Sequence, residues 1–237
     1  MWMQYLVVKG SEIEGGIDKY ETAAQGKFVV AYSSEVDVKQ EDGVLYLFQG
    51  YISNREEVVD YLDSGSREDL NLFQMALSKD DFNLSRHFDG CYTAIRIEDG
   101  EINVFRDIFG SKPVYFTGGG SSIILSSNIR PILKMNPDFQ VVNREVASDY
   151  LINGLADHRR ETFFEGIKRL KPRETLSYND NTFQIQRPQY TKEVSSGLKQ
   201  ELEENINTIK SDDEKYVCPV SGGLDSTILS TSQSILE

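Results

Sequence analysis

The segment CYTAIRIEDGEINVFR, residues 91–106, contains two strand-like runs that are joined by Asp99-Gly100. Both runs are rich in β-branched and aromatic residues, which favour extended structure. An Asp-Gly pair between two such runs is a strong signal for a tight β-hairpin. The segment therefore predicts an antiparallel sheet, and it is the strongest indication of fold in the chain.

Similar strand signals lie on both sides of this hairpin. Tight turns between apolar runs predict two further hairpins, at residues 114–126 around Gly118-Gly119-Gly120 and at residues 174–186 around Asn179-Asp180-Asn181. Runs rich in Val, Leu, Tyr and Phe predict additional strands at residues 4–8, 27–32 and 44–52.

Helical spacing of apolar residues occurs between the predicted strands. It predicts helices at residues 54–62, 67–78 and 144–152, the last with Asn143 as N-cap. Antiparallel strands covered by helices indicate a layered α+β domain. We expect this domain to occupy residues 1–190.

Composition excludes several classes of function. The chain of 237 residues carries a net charge of -13 with its acids spread along the sequence, so nucleic acid and anionic membranes are not expected partners. No apolar run approaches the roughly 18 residues of a membrane helix, and residues 1–9 lack the features of a secretory signal.

Two cysteines in strand-like runs, Cys91 and Cys218, indicate buried thiols and a cytoplasmic location. His87 and His158 are far apart without cysteine partners, and no metal site is expected.

The pattern changes after Gln189, where a second domain is predicted over residues 191–237. An amphipathic helix at residues 195–209 precedes a short apolar strand at residues 216–220. The strand leads into a loop and then into a helical run from Thr227. The loop residues are Ser221, Gly222, Gly223, Leu224, Asp225 and Ser226.

This loop has the chemistry of a phosphate-binding site. The two glycines allow close backbone approach, and the amides at the start of a helix favour an anion. Ser221 and Ser226 can add hydroxyl donors, whereas Asp225 can cap the helix or help to hold a cation. No Gly-Lys-Ser/Thr follows, so the loop is not of the Walker type. Its spacing is similar to the loop of enzymes that split ATP into AMP and pyrophosphate; the alternative is a flexible Gly/Ser turn.

Four stretches together resemble the asparagine synthetases that use glutamine. The segment RDIFGSKPVYF is similar to the family pattern Arg-Asp-x-x-Gly-x-Lys-Pro-Leu-Tyr-Tyr, and we expect it to be a structural strand and turn. That segment spans residues 106–116. The other stretches are ILSSN at residues 124–128, TFFEGIKRLKP at residues 162–172 and the Ser221 to Ser226 loop. The resemblance implies a class II glutamine amidotransferase domain of the Ntn-hydrolase type. That fold is an αββα sandwich of two antiparallel sheets, here followed by the truncated start of an α/β nucleotide-binding domain.

The resemblance also indicates that the glutaminase site is inactive. In the family, the residue after the start Met is a cysteine that attacks glutamine and supplies its own amine as base; here it is Trp2. Family positions that form the oxyanion hole correspond to Gln49 and Gly50, and Tyr51 replaces a glutamate that holds the glutamine amine. The family's Arg-Gly-Pro-Asp loop has no counterpart here. Asp69 has the spacing of an acidic pocket residue, although an ordinary acid at a helix start explains it equally well.

The intact enzyme is therefore expected to be an ATP-dependent, amide-forming ligase that uses ATP and Mg²⁺. Its substrates would be a small carboxylate and either ammonia or another amine, as in β-lactam synthetases and lasso-peptide cyclases. Only twelve residues follow Asp225, so we expect the ATP-binding domain to be incomplete and this chain to be inactive alone. A non-catalytic scaffold or interaction domain is the rival hypothesis. The sequence does not indicate an oligomeric state.

Overall fold

A computed structural model of the chain describes residues 3–10, 20–79, 83–84, 87–119, 122–179, 181–189, 197–209 and 220–234. The chain divides into two compact units, Met1–Tyr190 and Thr191–Glu237. The identity of the second unit as the start of an ATP-binding domain stays a prediction.

Two stacked antiparallel sheets form the first unit. Among the described residues, twelve strands occur: β1 (Tyr5–Lys9), β2 (Glu21–Gln25), β3 (Phe28–Tyr32), β4 (Val36–Glu41), β5 (Val44–Ile52), β6 (Gly90–Glu98), β7 (Glu101–Arg106), β8 (Tyr115–Gly119), β9 (Ser122–Ser126), β10 (Ile167–Arg169), β11 (Thr175–Asn179) and β12 (Thr182–Gln186). The first sheet has the order β10-β8-β9-β1-β3-β2, and the second has the order β12-β11-β7-β6-β5-β4.

Helices cover the outer faces of both sheets. In the first unit, the described helices are α1 (Arg55–Leu62), α2 (Asp69–Ser78), α3 (Ile129–Met135) and α4 (Arg144–Asn153), and a short 3-10 helix spans Pro137–Phe139. The second unit contains α5 (Leu198–Ile209) and α6 (Leu224–Ser234). Side chains of α1 and α2 share a core with the second sheet. Met135 of α3 packs with the outer face of the first sheet. The first unit is thus the predicted α+β sandwich with αββα layers.

Strand β5 shows why the sequence folds into these layers. Alternate side chains of a strand point to opposite faces. Leu45 and Leu47 lie in the core between the two sheets, whereas Tyr46 and Phe48 lie in the core beneath α1 and α2. The central strand is apolar on both faces because both faces are buried.

The hairpin at residues 91–106 is confirmed. Glu98 is paired with Glu101, so Asp99 and Gly100 form a two-residue turn. Both turn residues have positive φ, 48° and 86°, as a turn matched to the twist of the strands requires. The strand registers also confirm the hairpins β8–β9 and β11–β12; residues 120, 121 and 180 lie outside the described residues.

The segment at residues 106–116 joins the two sheets, which confirms its predicted structural character. The Arg106 guanidinium, at the end of β7, donates to the carbonyl groups of Gly110 and Lys112 and to that of Leu170, the residue after β10. Asp107 is fully buried. Its carboxylate accepts hydrogen bonds from the backbone of Tyr92, Phe109 and Ser111 at 2.9–3.2 Å.

Some elements differ from the predictions. Strands β2 and β4 were missed because their sequences, ETAAQ and VDVKQE, are polar, as suits the edges of the two sheets. Helix α3 was missed because it contains Pro131, which the first turn of a helix tolerates.

The prediction that Cys91 is buried is wrong. Cys91 is partly exposed, because it lies near the start of β6. Cys218 lies outside the described residues.

Candidate functional site

Gln49 lies near the end of β5 and is 2% exposed. Its side-chain nitrogen donates to the side-chain oxygen of Gln4, and the Gln4 nitrogen donates to Glu35 at 2.6 Å. A carboxylate oxygen only accepts hydrogen bonds, so Glu35 fixes the orientation of Gln4, and Gln4 in turn fixes that of Gln49. The NH₂ group of Gln49 is thereby directed at another side chain of the protein.

The other end of the Gln49 amide is an acceptor. Its oxygen is buried and has no hydrogen-bond partner among the described residues. An oxyanion is stabilised by donors. The Gln49 amide could therefore stabilise an oxyanion only through its nitrogen, and Gln4 already accepts one of the two N–H donors there.

Gly50 follows Gln49 and has a φ of 116°. A Cβ at this position would lie 1.9 Å from the backbone oxygen of Cys91 on the neighbouring strand. Gly90, near the same end of the β5–β6 pair, would bring a Cβ to 2.2 Å from the Tyr51 oxygen. The close approach of these two strands thus requires glycine at both positions.

Tyr51 is paired with Cys91 across the two strands. A hydrogen bond with the Cys91 thiol and partial burial raise the pKa of the Tyr51 phenol above its ordinary value. The phenol is therefore neutral at physiological pH. It provides no carboxylate that could hold a substrate amine.

Asp69 is the first residue of α2, and both of its carboxylate oxygens are engaged. Arg55 donates to them in a bidentate pair at 2.8 and 2.9 Å, and the Ile52 N–H donates at 3.2 Å. The Asp69 side chain is 9% exposed. These contacts support the interpretation of Asp69 as a structural acid that ties α2 to α1 and to the end of β5.

The structure brings the predicted pocket residues to one end of β5. Gln49, Gly50 and Tyr51 are consecutive there, and Asp69 binds the backbone of the next residue, Ile52. Trp2, which stands at the position predicted for the nucleophile, lies outside the described residues. Sequence reasoning missed Gln4, Glu35 and Arg55, because their partners are 14 or more residues away and no local pattern indicates them.

The predicted phosphate loop leads into the first turn of α6, and its two serines bond to each other. The Ser226 hydroxyl donates to the Gly223 carbonyl at 3.2 Å, so its one proton is used. It must then accept from the Ser221 hydroxyl, 3.1 Å away, and it also accepts from the Ser221 N–H. Gly222 has a φ of 80°, a backbone conformation that favours glycine. To donate to a bound phosphate, the Ser221 and Ser226 hydroxyl groups would first have to give up these hydrogen bonds.

The start of the helix corrects one prediction. Helix α6 begins at Leu224, three residues before the predicted helical run from Thr227, because Gly223 already accepts the first helical hydrogen bond from the Thr227 N–H at 3.2 Å. Asp225 lies inside the first turn and is therefore not the cap of this helix. Its carboxylate still has a favourable position near the helix amino terminus. Residues 216–219 of the predicted strand lie outside the described residues, and Val220 is not in a strand.

The two stacked sheets and their helices define an α+β sandwich of the Ntn-hydrolase amidotransferase type. The family model for a glutamine amidotransferase domain matches residues 38–191, and the chain belongs to this family. No curated protein matches the chain significantly.

Solved structures of similar fold include two enzymes. The glutamine phosphoribosylpyrophosphate (PRPP) amidotransferase from B. subtilis in complex with ADP and GMP is 14% identical, with a TM-score of 0.48; the match covers 78% of this chain and 43% of that chain. A structure described as the allosteric regulatory enzyme of purine biosynthesis is 13% identical, with a TM-score of 0.47 and coverage of 78% and 43%. The chain thus spans less than half the length of these proteins. No helix among the described residues is long and apolar enough to cross a membrane.

Proposed function

We propose that this chain is the amino-terminal part of an ATP-dependent, amide-forming ligase of the asparagine synthetase kind. In this proposal, its glutamine amidotransferase domain keeps the family fold and does not hydrolyse glutamine. The ligase chemistry rests on the sequence resemblance, and the cytoplasmic location rests on the presence of only two cysteines.

The observation that carries the inactive glutaminase is the internal pairing of the pocket residues. Gln4 accepts one N–H of the Gln49 amide, and Arg55 takes both carboxylate oxygens of Asp69. Tyr51 offers a neutral phenol. Glutamine would have to displace these contacts to reach either group, and Tyr51 supplies no carboxylate in return. Trp2 at the nucleophile position supports the same conclusion from the sequence.

The second part of the proposal assigns ATP to the loop of Ser221 to Ser226. Its glycines and the amino terminus of α6 suit a pyrophosphate group, and Mg²⁺ would accompany the nucleotide. A small carboxylate would attack the α-phosphate of ATP, release pyrophosphate and form an acyl-adenylate. Ammonia or another amine would then form the amide and release AMP.

The full-length protein, expressed from its complete gene, tests this function. We expect AMP and pyrophosphate to form when a carboxylate substrate and ammonium or an amine are present, and glutamine not to replace that nitrogen source. Ser226→Ala should slow AMP formation, whereas Ser230→Ala, on the same helix, should not. Formation of ADP and phosphate would contradict the adenylate chemistry, and equal activity with glutamine would contradict the inactive glutaminase.

A non-catalytic interaction domain is a second candidate, favoured by exposed apolar side chains at the end of α4. Leu151 is 82% exposed and Ile152 is 79% exposed, with Tyr150 and Leu155 beside them in the chain. Such a group of side chains is typical of a surface that contacts another protein. Intact-mass analysis of cell extract separates the two candidates. A natural product with the mass of this chain supports the interaction domain, and a longer protein with the same amino terminus supports the ligase.

A further inference from the structure

A cleft of about 470 Å³ opens in the first unit, far along the chain from the pocket residues on β5. Strand β8 contributes Phe116, and strand β12 contributes Phe183 and Ile185. Phe139, from the 3-10 helix, lines the same cleft. The volume lies within the range of about 300–1,000 Å³ that is usual for small-molecule sites.

The apolar wall of this cleft is ordered by close packing. The rings of Phe116 and Phe183 have centroids 5.5 Å apart. Gly166 has a φ of 77°, and a Cβ there would lie 2.8 Å from the Phe139 ring. Glycine at this position therefore allows the Phe139 ring to approach the backbone. Aromatic walls of this kind favour a flat or branched hydrocarbon group.

Two cations line the cleft, and one of them is already neutralised. Arg160 forms a bidentate pair with Glu174 at 2.7 and 2.8 Å. Lys168 of β10 is exposed, and no carboxylate lies within ion-pair distance of it among the described residues. Glu161 is its partner across an isolated antiparallel β-bridge, without a side-chain ion pair between the two. Of these two cations, Lys168 is therefore the one that no described carboxylate holds in an ion pair.

We propose that this cleft binds a small apolar monoanion, namely an aryl or branched-alkyl monocarboxylate. The hydrocarbon group lies against the phenylalanine rings and Ile185, and the carboxylate pairs with the Lys168 ammonium. A phosphate or a dicarboxylate is a poorer ligand, because a second charge would compete with Glu174 for Arg160. This site is independent of the ligase chemistry proposed above.

An NMR titration of the 237-residue chain tests the site. The probes are 4-phenylbutyrate and its neutral isostere 4-phenylbutyramide. We expect 4-phenylbutyrate to shift the amide signals of Gly118 and Gly166, two glycines that line the cleft. It should bind about tenfold more tightly than the amide, as expected for a charge-assisted hydrogen bond.

Two variants with the same change of charge identify the cation. Lys168→Gln should abolish the preference for the carboxylate over the amide, whereas Lys27→Gln, in the exposed turn between β2 and β3, should leave it unchanged. The proposal is overturned if both probes bind wild type equally, if the shifts avoid Gly118 and Gly166, or if the two variants behave alike.

Discussion

At the scale of single residues, close contacts leave no free space around the end of β5. Gly50 is the tightest of them, since a Cβ would lie 1.9 Å from a backbone oxygen that the β5–β6 pairing holds in place. Gln49, beside it, is buried and held through Gln4. The sequence identifies Gly50 and Gln49 as site positions, whereas only the folded structure shows that their neighbours leave no room.

Gly50→Ala should therefore destabilise the domain by about 3 kcal/mol or more, because backbone atoms must move. Urea denaturation measures this change. Gly26→Ala is the matched control: Gly26 also has a positive φ, 57°, but nothing lies within 4 Å of its Cβ position. It should cost only about 1 kcal/mol. Equal effects of the two substitutions would contradict the close contact.

Glu174 provides a pH-dependent contribution to stability. Burial alone would raise the pKa of Glu174, but hydrogen bonds from Arg160 and the Lys171 N–H outweigh it and lower that pKa below its ordinary value. A lowered folded-state pKa stabilises the protein above the unfolded pKa of about 4.3, and the contribution is lost as pH falls through the folded pKa.

Glu174→Gln should accordingly cost about 1–3 kcal/mol at neutral pH and distinctly less in acid, since the wild type loses the ion pair there. Urea denaturation of both proteins at neutral pH and near pH 3 measures the difference. A cost that is the same at both pH values would show that the charge of Glu174 does not contribute.

At the scale of elements, the connection from β7 to β8 depends on one side chain. The Arg106 guanidinium reaches three carbonyl groups on two segments, one of which follows β10 in the other sheet. The planar group can serve all three because its donors point in fixed, different directions. A lysine keeps the charge but not this geometry.

Arg106→Lys should therefore destabilise the domain by about 2–4 kcal/mol, because two part-buried carbonyl groups lose their donor. Arg130→Lys, an identical substitution at an exposed position of α3, should change stability by less than about 0.5 kcal/mol. Thermal unfolding of both variants checks the prediction, which is wrong if their midpoints agree.

Local chemistry explains which elements could be predicted. The hairpin at residues 91–106 was predictable because Asp99-Gly100 fixes its own turn, and α4 was predictable because Asn143 caps it, accepting from the Val146 N–H at 3.3 Å. The edge strand β2 has no apolar pattern, since neither face is deeply buried. The pairing of Asp69 with Arg55 depends on how α1 and α2 pack, and nothing in the local sequence of either residue indicates it.

At the scale of the whole molecule, the three apolar cores that the described residues form lie within residues 1–190. A protein of residues 1–190 should therefore fold alone, with one cooperative unfolding transition. Circular dichroism and urea denaturation measure this directly. A fragment without a cooperative transition would show that its sheets depend on residues 191–237.

The most direct test of the proposed inactivity places a cysteine at the position that the family resemblance assigns to the nucleophile. We predict that Trp2→Cys, with the start Met removed by an added cleavage step, reacts with small thiol reagents but releases ammonia from glutamine only at the buffer rate. A thiolate needs a bound and oriented substrate, and orientation can supply about 7–11 kcal/mol of the barrier. Loss of one oxyanion donor alone costs about 10²–10³ in turnover. Ammonia release that saturates with glutamine would contradict the account, because it would show that Gln49, Tyr51 and Asp69 still form a working pocket.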